Sequence, residues 1–282
     1  MRGADMNKIR IAIIGVSNRS SSLIHGIHYY RNKKPVDAIG LLHWDIGGYK
    51  PGEIEVVAAF DVDERKVGKD VNRAIFVSPH SATVFKTYIP DAGISVQMGR
   101  ILDKDSDVMN HDAGRETSLS DNHKGSTRKE IVRILKESGA EVIVNYLPPG
   151  AEDASRFYAY CALDAGVAFV NNTSVFIANN PLWSLKFEYK NIPIIGDGFN
   201  IRFPIMATLN SVGVDIDSVR CAKLALNRGM GGVLLAASAY FCRQTIGRFT
   251  DGESRNMIEQ FINDEEYSCM RKTPEMIAMT TQ

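Results

Sequence analysis

The chain has 282 residues, 44% of them hydrophobic, enough to bury one large core or a core with a small appendage. Its 33 lysines and arginines balance 33 aspartates and glutamates, which argues against nucleic acid or an anionic membrane surface as a partner. No run approaches the roughly 18 apolar residues of a membrane span, and residues 1–6 lack the apolar core of a secretory signal.

Residues 9–14 read as a buried strand that runs into Gly15 and a serine-rich turn ahead of a helical pattern. That order suits a parallel strand delivering a dinucleotide diphosphate to a helix N-terminus. Glycine at 15 permits a tight turn, and the N–H groups that follow, over Val16, Ser17, Asn18 and Arg19, suit phosphate oxygens. The glycine fingerprint is incomplete, with Ser17 and Ser20 at its second and third positions. A plain buried strand with an N-cap serine is the competing reading.

A second strand at 54–60 ends in Asp61. In nicotinamide-binding folds a carboxylate there accepts hydrogen bonds from the adenosine ribose; the alternative is a cap on the next helix, expected over 64–72. The interval from Gly15 to Asp61 exceeds the roughly 30 residues of a plain βαβ unit. The excess falls in 29–52, rich in Gly, Pro, Asn and Lys, which reads as a loop inserted after the first helix.

Further on, 94–97 is a weak strand, and 102–127 reads as a polar surface loop in which His111 and His123 are solvated. The helical period returns from Thr127 with Ile131, Ile134 and Leu135 on one face. Strands follow at 141–145, 167–171 and 192–197, with a helix at 155–165 stopped by Gly166. This alternation predicts an α/β, doubly wound, mainly parallel sheet of Rossmann type. Segments 145–148, 171–174 and 196–198 then fall at the carboxyl ends of strands, where ligands bind. The four cysteines, Cys161, Cys221, Cys242 and Cys269, show no metal spacing and read as buried thiols; no metal is expected, and the setting reads as cytoplasmic.

Several segments, taken in order, resemble one family. They include Ile14-Gly15-Val16-Ser17-Asn18, Ala58-Ala59-Phe60-Asp61-Val62-Asp63, Tyr146-Leu147-Pro148 and Asp164-Ala165-Gly166-Val167-Ala168-Phe169-Val170-Asn171. Pro193-Ile194-Ile195-Gly196-Asp197 and Arg228-Gly229-Met230-Gly231-Gly232 continue the series. Together they resemble the myo-inositol-1-phosphate (inositol-3-phosphate) synthases in their shorter prokaryotic form. Residues 9–197 carry the likeness almost without interruption, and 209–262 resemble the family's C-terminal end.

The resemblance implies an isomerase (an intramolecular lyase) of inositol and phospholipid biosynthesis, converting glucose 6-phosphate to an inositol monophosphate. NAD oxidises one carbon, the new carbonyl acidifies a neighbouring C–H, the ring closes by an aldol step and the hydride returns. It further implies cofactor contacts at Gly15, Val16, Ser17, Asn18, Arg19, Asp61, Leu147, Pro148, Asn171, Thr173, Gly196 and Asp197. Positional matches add Asp197 and Arg243 as catalytic groups, and a homo-oligomer is compatible with the family.

The family's catalytic and tetramer-forming α+β insert, with its N-x-G-G-N loop, K-x-I-S-K pair and later lysine, has no counterpart here. Residues 198–206 form a short bridge between a 1–197 nucleotide-binding part and a 207–282 segment that returns to it. Ala207 and Gly198 stand where the family has aspartates, and Arg243 stands where it has a lysine. A guanidinium, with a pKa above about 12, cannot act as a base. Lys223 matches a family lysine and reads as structural. Three readings follow. One is the family's synthase at work, with its missing chemistry supplied by another chain or lost from the sequence. The second is a non-catalytic NAD-binding or regulatory remnant, and the third an NAD-dependent oxidoreductase of another substrate. Tyr-x-x-x-Lys or His–carboxylate machinery for the third does not stand at convincing positions.

Overall fold

The computed structural model describes residues 8–78, 89–103, 125–198, 207–242 and 247–264, with backbone alone for 207–211. The bridge 199–206, Arg243, Cys269, His111 and His123 lie outside the described residues. In chain order the elements are β1 (Ile9–Ile14), α1 (Asn18–Tyr30), β2 (Ile54–Asp61), α2 (Val71–Ala74) and β3 (Gln97–Met98). Next come α3 (Arg128–Glu137), β4 (Val142–Asn145), α4 (Glu152–Ala165), β5 (Ala168–Asn171) and α5 (Pro181–Tyr189). The chain closes with β6 (Pro193–Ile195), α6 (Ala207–Asn227), β7 (Gly232–Val233), α7 (Leu235–Phe241) and α8 (Asp251–Asn263).

The strands form one sheet in the order β3-β2-β1-β4-β5-β6-β7, with every pairing parallel. This is the doubly wound α/β sheet that the alternation predicts. Ile11 pairs with Val56 and Ile14 with Phe60, so the first two strands are neighbours. The chain winds outward from β1 to β3, then returns to place β4 on the other side of β1. The reversal leaves a crevice outside the carboxyl ends of β1 and β4.

Helices cover both faces of the sheet, which is why its central strands are largely apolar, with Arg10 and Glu55 near the start of β1 and β2 as exceptions. Ile9, Ile11 and Ile13 share a core with α1, α6, α7 and α8, while Ala12 and Ile14 face α3, α4 and α5. The same alternation runs through β4 and β5. Val142, Val144, Ala168 and Val170 enter the first core, and Ile143 and Phe169 the second. Among the described residues no helix is long and apolar enough to cross a membrane.

Two local outcomes refine the sequence reading. The helix expected over 64–72 is instead a run of turns at 64–68 and the single helical turn α2. Asp70 explains this. Its carboxylate accepts from the N–H groups of Asn72 (2.9 Å), Ala92 (3.1 Å), Gly93 (2.7 Å) and Ile94 (3.2 Å), so it caps α2 and pins a later loop. The weak strand expected at 94–97 forms only from its last residue on, as the two-residue β3.

The excursion after α1 is irregular, as expected, but it is bolted down. Arg220 of α6, fully buried, donates to the carbonyls of His43 (2.7 Å), Trp44 (2.9 Å) and Tyr49 (3.1 Å) and pairs with Asp217. Asp217 in turn accepts from the Leu42 N–H at 2.5 Å. A Cβ at Gly213 would lie 1.7 Å from the Gly40 carbonyl oxygen, so only glycine lets the excursion pack so closely on α6.

Candidate functional site

The crevice beside β1 and β4 holds a cleft of about 610 Å³, walled by the residues that follow β1, β2, β4 and β5. Nine of the residues expected at a cofactor line it: Gly15, Val16, Ser17, Asn18, Arg19, Asp61, Leu147, Pro148 and Thr173. Gly15 has φ +85°, and a Cβ on it would meet the Tyr146 carbonyl oxygen at 3.1 Å, in the gap between the two turns. Its N–H donates to the Phe60 carbonyl at 2.9 Å, which ties the first turn to β2.

Helix α1 begins at the cleft, and its N-terminus carries the partial positive charge of the helix dipole. The serines that interrupt the glycine fingerprint lock that start. The Ser17 N–H donates to Ser20 Oγ at 2.7 Å, and the Ser20 hydroxyl donates back to the Ser17 carbonyl at 2.8 Å.

Asp61 closes the opposite wall. Its Oδ2 accepts from the Val16 N–H at 2.7 Å and its Oδ1 from the Asp63 N–H at 2.9 Å. Burial raises its pKa above the usual carboxylate range, against the pull of nearby Lys66 and the two N–H donors. The Lys66 amine donates to the Val16 carbonyl at 2.8 Å and stands 3.6 Å from Asp61 Oδ2. Arg65 is turned away, forked onto Asp63 at 2.6–3.2 Å. Burial works to raise Asp63 as well, but the Arg65 bonds outweigh it and hold its carboxyl below the ordinary value.

Asn171, Gly196 and Asp197 do not line the cleft; they form the layer behind it. Asp197 is fully buried and accepts from the Asn171 amide (2.7 Å) and from the N–H groups of Ile177 (3.1 Å), Ala178 (3.0 Å) and Asn179 (3.0 Å). The Asn179 side chain adds a further bond at 3.2 Å. Burial raises the Asp197 pKa, and these donors offset part of the rise. Where a catalytic group was expected, the carboxylate holds the turn before α5. Asn171 also accepts from Asn145 at 2.9 Å, which ties the ends of β4 and β5 together. Lys223 pairs with Glu141 at 2.8 Å, away from the cleft lining.

A further buried carboxylate, behind the cleft, escaped the sequence reading. Asp215 of α6 accepts from the Tyr146 hydroxyl and from the Asn172 amide, each at 2.8 Å. The Asn172 carbonyl accepts from Arg19 Nη1 at 2.7 Å. Burial lifts the Asp215 pKa to about 7, against the pull of Tyr146, the Arg19 charge and Asn172. The one signal for it was an aspartate flanked by Val214 and Ile216 in an apolar helix stretch, where a carboxylate needs partners. The hydroxyl of Thr173, also in the lining, is buried with no protein partner. Among the described residues no group of three or more His, Cys, Asp or Glu side chains is placed to hold a metal ion.

Known proteins similar to this chain point one way. An inositol-3-phosphate synthase of Mycolicibacterium smegmatis is 40% identical over 224 residues, covering 79% of this chain and 57% of the relative. One from Corynebacterium glutamicum is 43% identical over 208 residues, covering 71% and 53%. The chain thus spans about half the length of the curated relatives it matches. An uncharacterised protein of Mycobacterium leprae, 29% identical, aligns over 362 positions that cover 91% of this chain and 96% of the relative. That alignment is longer than this chain, so the relative carries stretches without counterpart here.

Among solved structures, that of Ari2 aligns with a TM-score of 0.77 at 24% identity, covering 92% of this chain and 99% of the other. A myo-inositol-1-phosphate synthase-related protein of Thermotoga maritima gives 0.60 at 17%, covering 85% and 93%. Both show a shared fold. No protein-family model matches the chain.

Proposed function

This chain belongs by homology to the inositol-3-phosphate synthase family, and on that premise we propose that its cleft holds NAD while the chain alone makes no inositol phosphate. The NAD half rests on fit. Gly15, where a Cβ would crowd the Tyr146 carbonyl, lets the turns after β1 and β4 close up into one cleft wall. The orphaned Thr173 hydroxyl has hydrogen bonds to give. The N-terminus of α1, with Asn18 and Arg19, would hold the diphosphate, Asp61 the adenosine ribose, and Leu147 and Pro148 an apolar wall. Bound there, NAD supplies reversible hydride transfer. Asp197 and Asn171 act from behind, by fixing the turns that shape the site.

The second half rests on cations. Cyclising a sugar phosphate needs groups that stabilise an enolate and move protons. Lys66 is the lysine of the cleft lining, and its amine is committed to the Val16 carbonyl at the Asp61 end. The family's lysine-bearing insert has no counterpart, and Arg243 replaces a further lysine. Each missing group is worth roughly a hundredfold, so their joint loss removes the chemistry even without additivity. In this reading 1–197 and 207–282 build one nucleotide domain and 198–206 bridges it. A cytoplasmic setting belongs to the same proposal, and the buried free thiols Cys161, Cys221 and Cys242 suit a reducing compartment.

Calorimetric titration with NAD and NADP tests the cofactor half. NAD should bind, and NADP should bind more weakly because Asp61 opposes a 2′-phosphate. Equal binding, or none, contradicts it. Arg243→Lys should rescue no turnover of glucose 6-phosphate; rescue by that single change would contradict the second half.

A further inference from the structure

We infer that Asp215 is a proton-linked positioning residue: it sets the Arg19 guanidinium in the cleft wall and takes up a proton when an anion settles there. Asp215 lies on α6 behind the cleft and reaches it through two intermediaries, Tyr146 and Asn172, both of which line the cleft. With its NH2 drawn to Asp215, the Asn172 side chain turns Oδ1 toward Arg19, while the main-chain carbonyl of the same residue accepts from Arg19 independently. Arg19 Nη1 stands 3.4 Å and 2.7 Å from these two oxygens. The carboxylate therefore decides which way the amide faces, and the amide Oδ1 adds a second acceptor beside the main-chain carbonyl that holds the guanidinium. Arg19 is exposed and keeps further N–H donors for a ligand.

The charges around Asp215 are few. From α1 comes Arg19, from the end of β4 the Tyr146 phenol, and from the end of β5 the neutral Asn172 amide. On its own helix Asp217 is turned to Arg220, and Asp197, after β6, is closed off by its own donors. An anion on Arg19 shares the one positive charge that favours ionised Asp215 and adds a negative charge nearby, in surroundings of low dielectric. Both effects favour the neutral acid. Burial already brings this carboxyl to about 7 in the free chain, so the further rise falls in the neutral range. The inference rests on the cleft being a dinucleotide site, and adds that the diphosphate binds with proton uptake.

Titration calorimetry with NAD, in buffers of different ionisation enthalpy near neutral pH, counts the protons taken up. About half a proton is expected, with affinity falling roughly tenfold between about pH 6 and about pH 8.5. Asp215→Asn should abolish the uptake and flatten that slope, whatever its own affinity. Arg19→Gln, at an exposed position, should remove most of it. Binding without proton uptake overturns the inference and leaves the NAD reading standing. Failure of NAD to bind overturns that reading, and sulfate, whose charge is constant over this range, then decides the inference. The carbon-13 titration of the Asp215 carboxyl, assigned by its loss in Asp215→Asn, should move to higher pH with sulfate; an unmoved midpoint overturns the inference.

Discussion

Asp61 holds the Val16 and Asp63 N–H groups and still has lone pairs for a ribose, because each carboxylate oxygen accepts two bonds. Asp61→Ala should weaken NAD binding by roughly ten- to a hundredfold, measured by calorimetry. Unchanged affinity would confine Asp61 to shaping the turn. Asp215 makes a separate prediction about stability. Its folded pKa, about 7, lies above the ordinary unfolded value, so the folded chain binds more protons between about 4 and 7. Stability contributed by the neutral acid is present below that window and is lost as pH rises through it. Between about pH 5 and about pH 8, Asp215→Asn should therefore lose less stability than the parent, by on the order of 1–3 kcal/mol in urea midpoints. Equal losses in the two chains would contradict this.

At the scale of elements, the excursion between α1 and β2 depends on one buried pair on α6. Arg220→Ala would leave Asp217 and the carbonyls of His43, Trp44 and Tyr49 buried without their cation. The expected cost is about 3–5 kcal/mol, with proteolysis starting in 41–49. Loss of less than about 1 kcal/mol, or first cleavage elsewhere, would contradict the clamp. The sequence marked this stretch as a loop by its Gly and Pro content, but the clamp was hidden. Its partners lie more than 170 residues away along the chain. The same distance effect explains α2. Asp70 looked like one more helix residue, while its bonds to Ala92, Gly93 and Ile94 come from a later loop.

Across the whole molecule, most of the sheet was readable because β1, β2, β4, β5 and β6 are largely apolar runs that end at or beside Gly, Asp or Asn, whereas the two-residue β7 carries too short a pattern to be expected. The cleft was readable for the same reason, since its walls are those strand ends. Depth was not. Asn171 and Asp197 occupy strand ends as a ligand-binding pair would, yet they bond to each other and to the turn before α5. Nor does periodicity reveal that Asp215 on a distant helix meets Tyr146 and Asn172 behind the same cleft. The molecule that results has a cleft with Arg19, Arg100 and Lys66 as its cations and no cluster of amines in its described lining. The most direct test is to incubate the purified chain, free of any other synthase, with NAD and carbon-13 glucose 6-phosphate, and to follow the products by NMR. The account predicts bound NAD with unchanged sugar phosphate; the appearance of inositol monophosphate would contradict it.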